Sequence, residues 1–136
     1  MGLDMYLYGA IYKVDGESCS SVIQLEEVAY WRKQNAIHNW MVKNVQEGVD
    51  NRAMYCVSED YLKKLLADCN KVLRCPTVEN AMNVLPTLEG CFFGGTDLND
   101  DYELEYYLDG LKYTVKVISE LLKDGKYEYY YYHSSW

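Results

Sequence analysis

The sequence predicts an α+β fold: a mixed or antiparallel sheet that includes both terminal strands, packed with three main helices, in a single domain over residues 1–136. Three observations carry this. Strand-like alternation stands at both ends, in "LDMYLYGAIY" and "KYEYYYY". Segments with helical apolar spacing fill the middle. The length of 136 residues suits one domain with a real core.

In the opening segment Leu3, Met5 and Leu7 fall on one face and Asp4, Tyr6 and Tyr8 on the other, as the two-residue period of a strand requires. "KVDGESCSS" reads as a turn and loop, and residues 22–25 as a second short strand. A first helix is predicted over about residues 27–47, with Gly48 at its C′ position. "RAMYCV" reads as a strand. Ser58 then caps a second helix, whose positive first turn favours Glu59 and Asp60. Leu62, Leu65, Leu66, Cys69, Val72 and Leu73 form its apolar stripe. Pro76 ends it, and Thr77 starts a short helix that reaches Leu85 before Pro86. "LEGCFFGGTD" is a strand-like or looped connector. The third main helix spans about residues 100–123, buries Leu104, Tyr107, Leu108, Leu111, Val115, Ile118 and Leu122, and stops at Gly125. In the last strand Tyr127, Tyr129 and Tyr131 oppose Glu128, Tyr130 and Tyr132. If that strand lies beside the first, its tyrosines share a face with Asp4, Tyr6 and Tyr8, and the C-terminus is a wall of the fold.

Composition narrows the function. A net charge of −8 and no Lys/Arg run longer than two disfavour direct nucleic-acid binding. The five cysteines (Cys19, Cys56, Cys69, Cys75, Cys91) are odd in number and contain no C-x-x-C pair, and no signal peptide precedes them. Free thiols in a reducing cytoplasm are the expectation. No apolar run reaches membrane-spanning length, so no membrane partner is expected. With two histidines a His-rich metal site is impossible, and no metal or other cofactor is predicted. "DLNDDY" starts like a calcium loop, but Tyr102 stands where its glycine belongs and Leu108 where its closing glutamate belongs. "GCFFGG" lacks the Lys-Ser/Thr of a phosphate-binding loop, so Gly90, Gly94 and Gly95 read as turns around buried Phe92 and Phe93.

The first predicted helix carries the chemistry. Tyr30, Trp31, Ile37, Met41, Val42 and Val45 form its apolar arc, yet Gln34 and His38 fall inside that arc and Asn35 at its edge. Inward polar groups need partners. One reading, the commoner for buried histidines, is a structural network with His38 bonded to a tyrosine or a backbone carbonyl. The other is a pocket floored by Gln34, Asn35 and His38 and walled by Trp31 and tyrosines. Arg32 and Lys33 beside it suit phosphate. No nucleophile motif is present, so a binding role leads. The enzymatic alternative has His38 as general acid/base, assisted by Asp4, acting on a nucleotide or phosphate compound.

"MGLDMYLY", "VAYWRKQNAIHNWMVKNVQEGVDN", "LPTLEGCFFGG" and "YYHSSW" together resemble a family of small phage and prophage proteins, over nearly the whole chain. The matching residues are Gly2, Leu3, Asp4, Met5, Trp31, Arg32, Lys33, Asn35, His38, Trp40, Asn51, Gly90, Phe93, Gly94, Ser134, Ser135 and Trp136. Gly95 stands where the family commonly has serine. The resemblance implies a single site built from both termini and one helix, Asp4, Trp31, Arg32, Lys33, Asn35, His38, Ser134, Ser135 and Trp136, to which the shared strand face adds Tyr6. It also implies a phage protein of the host-cell cytoplasm that counters host defence, by sequestering a small anionic or nucleotide-like ligand or by blocking a defence protein. Tyrosine-rich strand faces make a homo-oligomer a further expectation.

Overall fold

The computed structural model describes residues 2–14, 21–90 and 94–136. Its elements run β1 (Asp4–Val14), β2 (Ser21–Arg32), α1 (Asn35–Asn44), β3 (Tyr55–Val57), α2 (Glu59–Arg74), α3 (Val78–Val84), α4 (Asp101–Asp124) and β4 (Tyr129–Ser135). The four strands form one antiparallel sheet in the order β2-β1-β4-β3, so the fold is α+β with both terminal strands in the sheet.

Several elements depart from the expectation: the last strand runs Tyr129–Ser135 and not 126–132, the strand in "RAMYCV" covers only Tyr55–Val57, and the first helix is cut short. Residues 27–32 are strand, not helix. β2 runs twelve residues and pairs with β1 from Asp4 opposite Arg32 to Val14 opposite Ser21, with a bulge between Leu7 and Tyr8. "EEVAYWR" fits a helical arc, but Val28, Tyr30 and Trp31 are also good strand formers, and only pairing with β1 decides between them. The helix that remains, α1, covers ten residues. It ends before Gly48, whose φ of 83° belongs to the following turn. The other helices begin and end near their predicted limits. The side chains of Ser58, Thr77 and Asp100 accept from the backbone N–H groups of Tyr61, Asn80 and Glu103, and α4 stops at Gly125 in the left-handed region. The turn glycines around Phe92 and Phe93 are only partly covered: Gly90 and Gly94 pair in an isolated bridge, while residues 91–93 lie outside the described residues.

The helices pack on one face of the sheet. Leu3 just before β1, Met5 and Leu7 of β1, Ala29 and Trp31 of β2, and Tyr130 and Tyr132 of β4 are buried there with Ile37, Met41, Leu62, Leu65, Leu111 and Ile118. Each of the leucines, isoleucines and methionines among them contributes about 1.5–3 kcal/mol by leaving water. The opposite face carries Asp4, Tyr6 and Tyr8, with His133 opposite Tyr6 and Tyr131 opposite Tyr8. Tyr30 and Tyr129 are well exposed.

Helix α4 also closes the outer edge of β2. The Tyr30 backbone N–H donates to the Tyr113 hydroxyl at 3.2 Å, and the Tyr106 hydroxyl donates to the Arg32 carbonyl. Two tyrosines two turns apart thereby occupy backbone groups that an edge strand otherwise leaves open to another chain.

Candidate functional site

The predicted residues divide among three places. The first is the core. His38 is fully buried on α1, with Nδ1 2.6 Å from the Tyr132 hydroxyl and Nε2 2.9 Å from Asp50 Oδ1. Burial pushes the His38 pKa below its ordinary value, against the opposing pull of Asp50. A neutral ring fits both partners, with Nε2–H donating to the carboxylate and Nδ1 accepting from the phenol. Burial likewise pushes the Tyr132 hydroxyl well above the usual tyrosine range. Trp31 is 2% exposed, and its Nε1 donates to Thr114 Oγ1 at 2.8 Å. Ser134 is buried, its hydroxyl 3.5 Å from the Asn51 carbonyl. The pocket floored by His38 and walled by Trp31 is therefore a packed interior.

The second place is the outer sheet face and the rim of β4. Asp4 accepts from the Tyr30 hydroxyl and from Arg32 Nη1, the latter at 2.8 Å. The Tyr30 bond is the largest cause of a lowered Asp4 pKa; Arg32 adds to it and partial burial opposes it. Tyr6 lies among Tyr8, Tyr30 and His133, with ring centroids at 6.1, 5.3 and 6.2 Å. Asp4 and His38 lie on opposite sides of the sheet and do not form an acid–base pair. Ser135 is opposite Asp4 in the ladder, and the Arg52 guanidinium sits 4.8 Å over the Trp136 ring. The two chain ends do meet beside α1, but they meet as paired strands over a filled core.

The third place is a cavity of about 430 Å³ lined by Arg32, Lys33, Asn35, Gly95, Thr96, Tyr102, Glu103 and Tyr106. It lies where β2 ends, α1 begins and α4 begins. Lys33 adopts φ 53°, a left-handed conformation that costs a non-glycine residue about 1–2 kcal/mol, and its N–H donates to the Leu3 carbonyl. That kink turns the chain from β2 into α1. A Cβ on Gly2 would lie 3.0 Å from Arg32 Nη2 and 3.3 Å from Lys33 Cε, so the two cationic side chains converge over the bare Gly2 backbone. Helix α1 opens beside them at Gln34, with no side-chain cap and no acidic residue in its first turn. A bare helix N-terminus favours negative charge. Glu103 is the opposing charge in the wall, and its Oε2 accepts from the Asp97 N–H at 2.8 Å.

Arg32, Lys33 and Asn35 were legible as candidates in the sequence; Thr96, Tyr102, Glu103 and Tyr106 were not. Their one signal is the spacing of Tyr102 and Tyr106, four apart in the first turns of α4 and off its apolar stripe. Tyr102 is 78% exposed and Tyr106 42%, which is unusual for large aromatic rings. Among the described residues no group of three metal-ligating side chains comes together, and no helix is long and apolar enough to cross a membrane. No protein-family model, curated protein or solved structure matches the chain.

Proposed function

We propose that this is a non-enzymatic binding protein that holds a small anionic, nucleotide-like ligand in the cleft between β2, α1 and α4. The observation that carries the reading is the convergence of Arg32 and Lys33 over Gly2 at the uncapped start of α1, facing the exposed rings of Tyr102 and Tyr106. Arg32 donates through Nη1 to Asp4 and also lies against the Tyr30 hydroxyl, while its Nη2 sits over Gly2 beside Lys33, and two cations side by side suit a phosphate. The tyrosines offer faces for a base, a contact worth about 1–3 kcal/mol. Binding without turnover suits the position of His38, which lies in the core and not at the cleft.

The resemblance to phage-encoded proteins supports a setting for this binding, the cytoplasm of an infected host, where holding a signalling nucleotide would blunt a defence response. The test is thermal unfolding with added nucleotides. A ligand at a hundred times its Kd adds about 2.7 kcal/mol of stability, several degrees in Tm. The gain should vanish in an Arg32→Ala/Lys33→Ala variant. If neither nucleotides nor inorganic phosphate raise Tm, the reading fails.

A second reading rests on the outer sheet face, where Tyr6, Tyr8, Tyr30 and Tyr131 stand with His133 outside the helical layer. Aromatic rings of this kind anchor protein interfaces, and the face would serve for blocking a defence protein or for pairing two copies. Tyr6→Glu should then abolish the effect on the host while leaving nucleotide binding intact. An unchanged effect sinks this second reading.

A further inference from the structure

One residue of the cleft works against phosphate binding. Glu103 lines it beside Tyr102 and Tyr106, in the first turns of α4, and its negative charge opposes an anion held by Arg32 and Lys33. Its Oε2 accepts from the Asp97 N–H at 2.8 Å, which fixes the carboxylate in place. Oε1 has no hydrogen-bond partner among the described residues, and it is not one of their buried unpaired atoms. The side chain is half-buried, and this oxygen still meets solvent. A carboxylate held by one oxygen and open at the other can accept from a ligand without giving up the bond it already makes.

We infer that the ligand is a guanine mononucleotide and that Glu103 reads its base, accepting from the ring N1–H and the 2-amino group. The inference rests on the nucleotide reading of the cleft and adds three arguments to it. The first is polarity. An ionised carboxylate only accepts, and Oε2 keeps a second lone pair beyond the one given to Asp97. Among the four RNA bases, guanine alone has two adjacent donors on its pairing edge. Adenine and cytosine set a donor beside a ring-nitrogen acceptor, and uracil sets its N–H between two carbonyls. Each of these three would bring a lone pair against the carboxylate. The second is placement. Glu103 and both rings come from α4, whereas the two cations come from the junction of β2 and α1. A nucleotide laid across the cleft, with its phosphate at the cations, brings its base to the side that carries the acceptor. The third is size: about 430 Å³ is near the lower end of ligand pockets and suits one nucleotide better than two.

The test is calorimetric titration of the full chain with the 5′-monophosphates of guanosine, inosine, adenosine, cytidine and uridine, and with ribose 5-phosphate. The guanosine compound should bind at least about tenfold more tightly than the adenosine one, and also than the inosine one, which lacks only the 2-amino group; this is the loss expected when a hydrogen bond to a charged acceptor is removed. Ribose 5-phosphate should be weaker still, since it offers nothing to Glu103, Tyr102 or Tyr106. Glu103→Gln keeps an oxygen for the Asp97 N–H and puts a donor where the other oxygen stood, so it should unfold near the wild-type Tm and bring the guanosine-to-adenosine ratio to about one or below. Lys33→Ala should weaken every nucleotide and leave that ratio unchanged. Equal binding of the guanosine and adenosine or inosine compounds by the wild-type protein, a result that needs no variant to fold, overturns the guanine assignment while the cleft reading stands. A ratio that persists in Glu103→Gln overturns the role of Glu103. Ribose 5-phosphate that matches the guanosine compound overturns the base contact in favour of a sugar phosphate. Failure of every compound overturns the cleft reading itself.

Discussion

His38 shows what burial does to a single side chain. It sits between the Tyr132 hydroxyl and Asp50, with no surface of its own. Removing the ring in His38→Ala leaves a cavity and takes from the buried Tyr132 phenol its partner at 2.6 Å, and should cost about 2–4 kcal/mol in urea unfolding. The pH dependence follows from the lowered pKa. The unfolded chain takes up a proton near 6.5, whereas the folded chain takes it up only at lower pH. Unfolding therefore binds a proton in that window. Stability is fully present above about pH 6.5 and falls on acidification through the folded pKa. Unfolding free energies at pH 7.5 and 5.5 should differ in the wild type, and should differ less in His38→Gln. Equal values in the wild type would mean that the ring is not held neutral. Cys69 shows the same effect: burial pushes its thiol up to about 12, so it should resist alkylating reagents that reach exposed Cys56 and Cys75.

At the scale of elements, α4 does more than cover the core. Its Tyr113 and Tyr106 occupy edge groups of β2, its Thr114 takes the Trp31 indole N–H, and its Gly110 leaves room for the Gln34 amide. A Cβ on Gly110 would lie within 2.4 Å of Gln34 Oε1, Cδ and Nε2, so the whole amide would have to move and give up its bond to the Tyr106 carbonyl. Gly110→Ala should therefore lower Tm, although intrinsic helix propensity favours alanine by about 1 kcal/mol. A raised Tm would show that Gln34 relocates at no cost. Tyr113→Phe should cost about 1 kcal/mol and leave the Tyr30 N–H without its protein partner. Gln34 and Asn35 looked anomalous as inward polar residues on a helix. The structure gives the amide nitrogens of both partners far away in sequence, Gln34 at Tyr106 and Asn35 at Leu88 and Gly94.

For the molecule as a whole, the decisive feature is that the last strand is an inner one. β4 lies between β1 and β3, with Tyr132 facing Leu7 on one side and Tyr55 on the other. Residues 50–52 hold its far end: Asp50 through His38, Asn51 through the Ser134 hydroxyl, and Arg52 over Trp136. A chain cut before Tyr129 loses the centre of the sheet and should show no cooperative unfolding transition by circular dichroism. Removal of Trp136 alone should cost about 1–3 kcal/mol, because the ring packs partly buried against the core as well as under Arg52. A cooperative transition in the shorter chain would show that the sheet closes without its inner strand.

Local signals by themselves determined the α+β class, the helices that begin at Ser58, Thr77 and Asp100, the stop at Gly125, and the two faces of the first and last strands. Each depends on neighbours a few residues away: a capping oxygen, a left-handed glycine, a two- or four-residue period. Only the tertiary structure decided that residues 27–32 are strand, because their pattern satisfies either period and the choice is made by hydrogen bonds to β1. It also decided the division of the candidate residues, with His38, Trp31 and Ser134 sealed inside, Asp4 and Tyr6 on the outer face, and Arg32, Lys33 and Asn35 in the cleft. A cleft is made where segments distant along the chain come together. The rings of Tyr102 and Tyr106 line one cleft with Lys33 only because α4 lies along the edge of β2, and no local pattern in the sequence records that approach.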